Sequence, residues 1–161
     1  MATQTYDPIA SITLSTATAS VTFSAIPQTY TDLVIVAFTD QTASSPSYVQ
    51  FNGDTGTNYS STNLTGDGAT ATSGRVSTSA TGIAFATTSA NDQISVLNIM
   101  NYSNTTTNKT LLLRRNDAAA QTSLVVGLWR STAAITSIRL FSNSSTFTSN
   151  STFNLYGIKA A

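Results

Sequence analysis

Val21–Phe38, VTFSAIPQTYTDLVIVAF, is the stretch on which the reading of this chain turns. Val21 and Phe23 alternate with Thr22 and Ser24, the period of a strand with one buried face. Pro27 sets a turn, and Leu33-Val34-Ile35-Val36-Ala37-Phe38 follows, the longest continuous apolar run in the first half of the chain. A run of this length, rich in β-branched residues and bounded by turn signals, predicts a strand covered on both faces. It is expected to be the central strand of a sheet packed on a second layer. Asp32 is the one charged residue in the stretch. The stretch reads as scaffold rather than chemistry.

Two more segments share that thickness. Gln93–Tyr102 carries Ile94, Val96, Leu97, Ile99 and Met100, and Gln121–Arg130 contains Leu124-Val125-Val126-Gly127-Leu128-Trp129. Both are expected beside or against Leu33–Phe38. Thinner strands are predicted at Ile9–Leu14, Ser20–Ser24, Tyr48–Phe51, Gly82–Ala86, Lys109–Arg115, Ile135–Phe141 and Phe153–Ile158. That makes about nine or ten strands separated by turns, the spacing of a sandwich or barrel. Glu is absent, Thr, Val and Ile abound, and no amphipathic helix is evident. The expected fold is all-β, a jelly-roll-like antiparallel β-sandwich of one domain over residues 9–161, with the first and last strands in one sheet. Residues 1–8 are polar and aperiodic and read as an extended N-terminal arm. Ser60–Ser79, with Leu64 and Val76 as its large apolar residues, reads as a surface excursion or a weakly paired edge. Ser142–Ser151 reads as a polar loop.

Composition narrows the function. The chain has 161 residues, enough for one domain with a real core. Charged residues are 9% of it, against the usual ~25%, and Ser and Thr together make up roughly a third. Disorder pairs low hydrophobicity with high net charge; here the hydrophobic fraction is 40% and the formal net charge is zero. With seven basic and seven acidic residues there is no cationic surplus to hold a phosphate backbone, so no nucleic-acid partner is expected. Arg114-Arg115, the basic pair, is read as a strand edge with one Arg on each face. Near-zero charge favours association and suits life inside a larger assembly. Cys and His are both absent, which removes disulfides and thiolate or imidazole metal sites. The start shows no leader pattern and the apolar runs are short, so synthesis in a cytoplasm and no membrane partner are expected.

Catalytic constellations are hard to assemble from these residues. A hydrolytic triad lacks its base without His. Lys109 sits in a polar hairpin and Lys159 near the terminus, neither placed to activate a Ser. Asp7, Asp32, Asp40, Asp54, Asp67, Asp92 and Asp117 are the whole acidic inventory, and nothing marks two of them as a glycosidase pair. No phosphate-binding glycine loop occurs. The chain is read as a non-enzyme, with no catalytic, cofactor-binding or metal residue assigned. Asn52–Asn58, with Asp67 further on, offers oxygen ligands for Ca²⁺, but such sites take more carboxylates, and a plain hairpin turn is preferred. Asn-x-Ser/Thr sequons at Asn58, Asn63, Asn101, Asn104, Asn108, Asn143 and Asn150 follow from composition. Tyr48, Tyr59, Tyr102, Trp129 and Tyr156 are candidate sugar-stacking aromatics, although Trp129 reads as core.

The phrases VTFSAIPQTYTDLVIV (21–36), FNGDTGTNYS (51–60), GLWRSTAAITSIRLF (127–141) and FNLYGI (153–158), in this order, resemble a family of small virion structural proteins of tailed phages, many from aquatic and cyanobacterial hosts. The resemblance spans most of the chain and brings no catalytic motif. It implies a capsid decoration (cement) protein on the outer head surface, assembled in the host cytoplasm, bridging major capsid protein subunits. Its expected self-association is a homotrimer. The alternative is a tail-fibre or adhesion module that binds host surface carbohydrate through the Gly53–Asp67 loops and the tyrosines.

Overall fold

The computed structural model describes residues 5–117 and 119–159, which form twelve strands and no helix. In chain order these are β1 (Tyr6–Thr13), β2 (Ser20–Phe23), β3 (Asp32–Thr39), β4 (Ser47–Phe51), β5 (Tyr59–Gly66), β6 (Ala71–Ala80), β7 (Ile83–Ala86), β8 (Gln93–Met100), β9 (Lys109–Asp117), β10 (Gln121–Trp129), β11 (Ile138–Ser142) and β12 (Thr152–Ile158). They pair into an eight-stranded sheet, β1-β12-β3-β8-β9-β10-β5-β6, and a four-stranded sheet, β2-β11-β4-β7. Every pairing is antiparallel. The chain leaves the large sheet for the small one after β1, β3, β6 and β10 and returns each time. This jelly-roll-like sandwich forms a single domain. The first and last strands share the large sheet, with Ser11 opposite Asn154 and Ile12 opposite Phe153.

Val21–Phe38 decides the fold because it spans both layers. Its first part is β2, in the small sheet, and its second is β3, third in the large one. Between them Ala25 takes a left-handed φ of 52°, and Gln28 Nε2 donates to the carbonyls of Ile26 (2.8 Å) and Ile135 (3.0 Å). The core fills the space between the sheets. Leu33, Ile35, Ala37, Leu97, Ile99, Leu111, Leu113, Val125, Phe153 and Leu155 come from the large sheet, and Val21, Phe23, Val49, Phe51, Ile83, Phe85, Ile138 and Leu140 from the small one. Burying these alternate positions is what sets strand register, since a one-residue slip would turn each strand inside out.

Several expectations need correction. β3 is fully covered on one face and partly on the other: Leu33, Ile35 and Ala37 are buried on the inner face, and on the outer one Val34 is buried, Val36 half-buried and Phe38 exposed. Of the two alternatives for Ser60–Ser79, the edge is what the structure shows: the segment holds two strands, which raises the number from about ten to twelve. β5 and β6 form the hairpin at one edge of the large sheet, and β6 has a single strand neighbour, so its pairing needs few large apolar side chains. The Ser142–Ser151 loop is not merely polar. Phe147 lies fully buried in it, edge-on to Phe153 at 5.2 Å, and the backbone there bridges to Thr18 and Gln41. Of the arm expected over residues 1–8, residues 1–4 lie outside the described residues. Tyr6, Asp7 and Pro8 stand in β1 opposite Ile158, Gly157 and Tyr156.

Candidate functional site

The Asn52–Asn58 loop was the sequence's best candidate for a site, and its geometry begins with two residues at positive φ, Asn52 (51°) and Gly53 (68°). Asn-Gly tolerates that conformation, and the amide of Asp54 closes the turn on the Phe51 carbonyl at 2.9 Å. The loop is not a hairpin, however: β4 and β5 lie in different sheets, and the turn carries the chain between them. Its polar atoms are engaged. Asn52 Nδ2 donates to the Ala134 carbonyl at 2.7 Å, and its Oδ1 accepts from the amides of Thr136 (2.8 Å) and Ser137 (3.1 Å). Asp54 Oδ1 accepts from the Gly56 amide at 2.8 Å, and Oδ2 accepts from Asn58 Nδ2 at 2.9 Å and from the Trp129 indole at 2.7 Å. These donors, Trp129 first, hold the Asp54 carboxyl below its ordinary pKa despite the opposing effect of burial. Both carboxylate oxygens are thus hydrogen-bonded within this chain. Asp67 acts alike in its own turn, accepting from Ala69, Thr70 and the Thr70 hydroxyl.

The candidate aromatics separate into two groups. Tyr59, Tyr102 and Trp129 are buried: Phe51, Tyr59 and Trp129 form one cluster with centroid distances of 5.5 to 6.3 Å. The Tyr59 hydroxyl accepts from the Phe51 amide at 3.0 Å, and burial pushes its pKa up to about 12. Tyr102 donates to the Pro27 carbonyl, tying the loop after β8 to the Val21–Phe38 turn. Tyr48 and Tyr156 remain half-buried, but they lie in different sheets. The loops and tyrosines chosen from the sequence therefore do not converge on one platform.

The charged residues are also put to structural use. Lys109 is fully buried and donates to the carbonyls of Thr107 (2.8 Å) and Thr132 (3.1 Å), and desolvation pulls its pKa down. Arg114 points out and Arg115 in, one on each face as expected, but β9 is an interior strand and not an edge. Arg115 donates to the carbonyls of Ala84 and Ala86 at 3.1 Å, linking the large sheet to β7 of the small one. Lys159 pairs with Asp7 across the β1–β12 edge, and Asp32 accepts from the Asn101 amide at 2.6 Å. Asp40 and Asp117 likewise accept from nearby backbone amides, those of Gln41 and Ala119.

What the sequence reading missed is a surface. The outer face of the large sheet aligns Val36, Val96, Arg114, Leu124 and Leu64 in one row across five strands, and Val34, Asn98, Leu112 and Val126 in the next. Phe38 and Ile94 pair beside them. Val126 is 54% exposed, Leu64 57%, and Leu124 and Ile94 45% each. The signal was present in the thick strands, whose apolar residues occupy both alternating sets of positions.

No protein-family model matches the chain, and no curated protein does. Among solved structures it is similar to an exo-inulinase from Aspergillus awamori, at 15% identity over 95% of this chain and 29% of that one, with a TM-score of 0.44. The chain thus spans less than a third of the inulinase.

Proposed function

We propose that this is a structural, non-enzymatic virion protein of a tailed phage that decorates the head and stabilises it by bridging major capsid subunits. The observation that carries the reading is the ordered set of four phrases resembling phage virion proteins. Those phrases supply β2, β3, the Asn52–Asn58 turn, the end of β10 with β11, and β12. They fall in both sheets of the sandwich. The charged side chains support it too: Lys109, Arg115, Asp54 and Asp67 hold turns and layers together. A decoration protein of this kind gains affinity from many modest contacts multiplied over a repeating lattice.

The test is reconstitution. Purified heads lacking the protein are mixed with recombinant chain, and occupancy and the thermal stability of the heads are measured. Saturable binding with a raised disruption temperature is the expected result. Absence of binding at micromolar protein would overturn the reading.

A further inference from the structure

We infer that the outer face of the eight-stranded sheet is a contact surface between copies of this chain. The first ground is the mismatch between sequence and coverage. Val34, Val36, Phe38, Ile94, Val96, Met100, Leu124 and Val126 make β3, β8 and β10 apolar on both faces. That is the pattern of strands buried on both sides, whereas a sheet with one wet face alternates apolar with polar. The small sheet covers the inner side. The outer side keeps Phe38, Leu64, Ile94, Met100, Leu112, Leu124 and Val126 exposed, with Val36 and Val96 half-buried and Val34 buried beside them.

Area is the second ground. Seven inter-strand spacings of about 4.8 Å, and strands of seven to ten residues at about 3.4 Å each, give a whole face of roughly 950 Å², of which the five strands from β3 to β5 that carry these apolar side chains take roughly 550 Å². A standard stable interface takes about 800 Å² from each partner, while a monomer rarely exposes an apolar patch beyond a few hundred Å².

Charge selects the occupant. Across the five strands from β3 to β5, Arg114 is the charged residue among the outward-facing positions between Val34 and Leu64, and Arg75 on β6, opposite Thr62, adds a second. A partner recognised by charge would need more than this. A second copy brings no net-charge repulsion, because the chain is formally neutral, and its contact leaves the Arg114 and Arg75 guanidinium groups in water. Sheets also stack naturally on sheets, about 10 Å apart with interdigitating side chains, as the two layers of this molecule do. The inference stands on the geometry of the face and not on the virion reading, so each fails separately: loss of head binding leaves this proposal intact.

The experiment is sedimentation velocity on the full chain at micromolar concentration, beside the double variant Leu112→Lys/Val126→Lys. Both positions are exposed, so the variant is expected to keep the wild-type far-UV spectrum. The expected result is an oligomer for the wild type and an association about a hundredfold weaker for the variant. Because the chain has no Cys, a thiol can be placed at will. Val126→Cys should react with a maleimide about tenfold more slowly than Thr22→Cys, which is exposed on the small sheet, in keeping with burial of the face. A monomeric wild type would give the face to a different partner and overturn the proposal. So would an oligomer undisturbed by the two lysines, or equal labelling at the two thiols.

Discussion

The indole of Trp129, at the end of β10, donates to Oδ2 of Asp54 at 2.7 Å, joining the large sheet to the turn that leaves the small one. The same carboxylate holds Gly56 and Asn58, so one side chain closes a loop and fixes its attachment to the aromatic cluster. Asp54→Ala removes three charge-assisted bonds. About 2 kcal/mol of stability should be lost, since hydrogen bonds to charged groups contribute about 1.5–3 kcal/mol. Thermal melts followed by Trp129 fluorescence check this, with Asp54→Asn falling between Ala and wild type.

Asp54 also sets an acid limit. Its folded carboxyl titrates below the ordinary 3.8, so its contribution is fully present above pH 3.8 and disappears as pH falls through the lower folded value. The melting temperature of the wild type should therefore drop below pH 3.8, and Asp54→Asn should show a shallower acid slope. Parallel slopes would rule out this role.

Tyr59 sets the alkaline limit with the opposite chemistry. Burial keeps it neutral, with its pKa raised from 10.0 to about 12. The stability it contributes is present in full below pH 10 and is lost as pH rises through about 12. Ultraviolet titration should find a tyrosinate that forms at about pH 12 together with unfolding, and Tyr59→Phe should reduce the late-titrating absorbance by one tyrosine.

Gly157 in β12 is required for its lack of a side chain. A Cβ there would lie 2.4 Å from Cγ of Tyr30, whose ring closes over the strand. Gly157→Ala should cost about 1–3 kcal/mol through overpacking, a melting shift of roughly 2–4 °C per kcal/mol in a domain of this size. Adding Tyr30→Ala should cancel the clash, so the double variant should be no less stable than Tyr30→Ala alone.

Asn52 combines a left-handed backbone with four side-chain hydrogen bonds to residues 134–137. Asn52→Gly keeps the turn and loses the bonds, while Asn52→Ala loses both. The order of stability should be wild type, then Gly, then Ala, with Ala about 2 kcal/mol below wild type. Chemical denaturation of the three proteins gives the ranking.

The fold was legible because the core is written at period two. Val21 and Phe23, the β3 run and the Asn52-Gly53 turn carried the sandwich, and the terminal strands were correctly placed together. Three features escaped wholly or partly, for physical reasons. The β5–β6 hairpin was legible only as one of two alternatives, because at an edge few large apolar side chains are needed to mark a strand. Phe147 is a lone anchor in a polar loop, with no periodicity to announce it. The outer face of β3 was read as covered because its residues are apolar, and sequence pattern reports what a surface prefers rather than whether this chain supplies the cover. The loop chosen as a possible ion site was visible as a turn, but only the geometry revealed that Trp129, Asn58 and Gly56 occupy its carboxylate.

Copy number in purified virions tests the central claim most directly. Quantitative mass spectrometry, normalised to the major capsid protein, should find on the order of hundreds of copies per particle, the stoichiometry of a symmetric lattice decoration. A few tens of copies, or none, would contradict it.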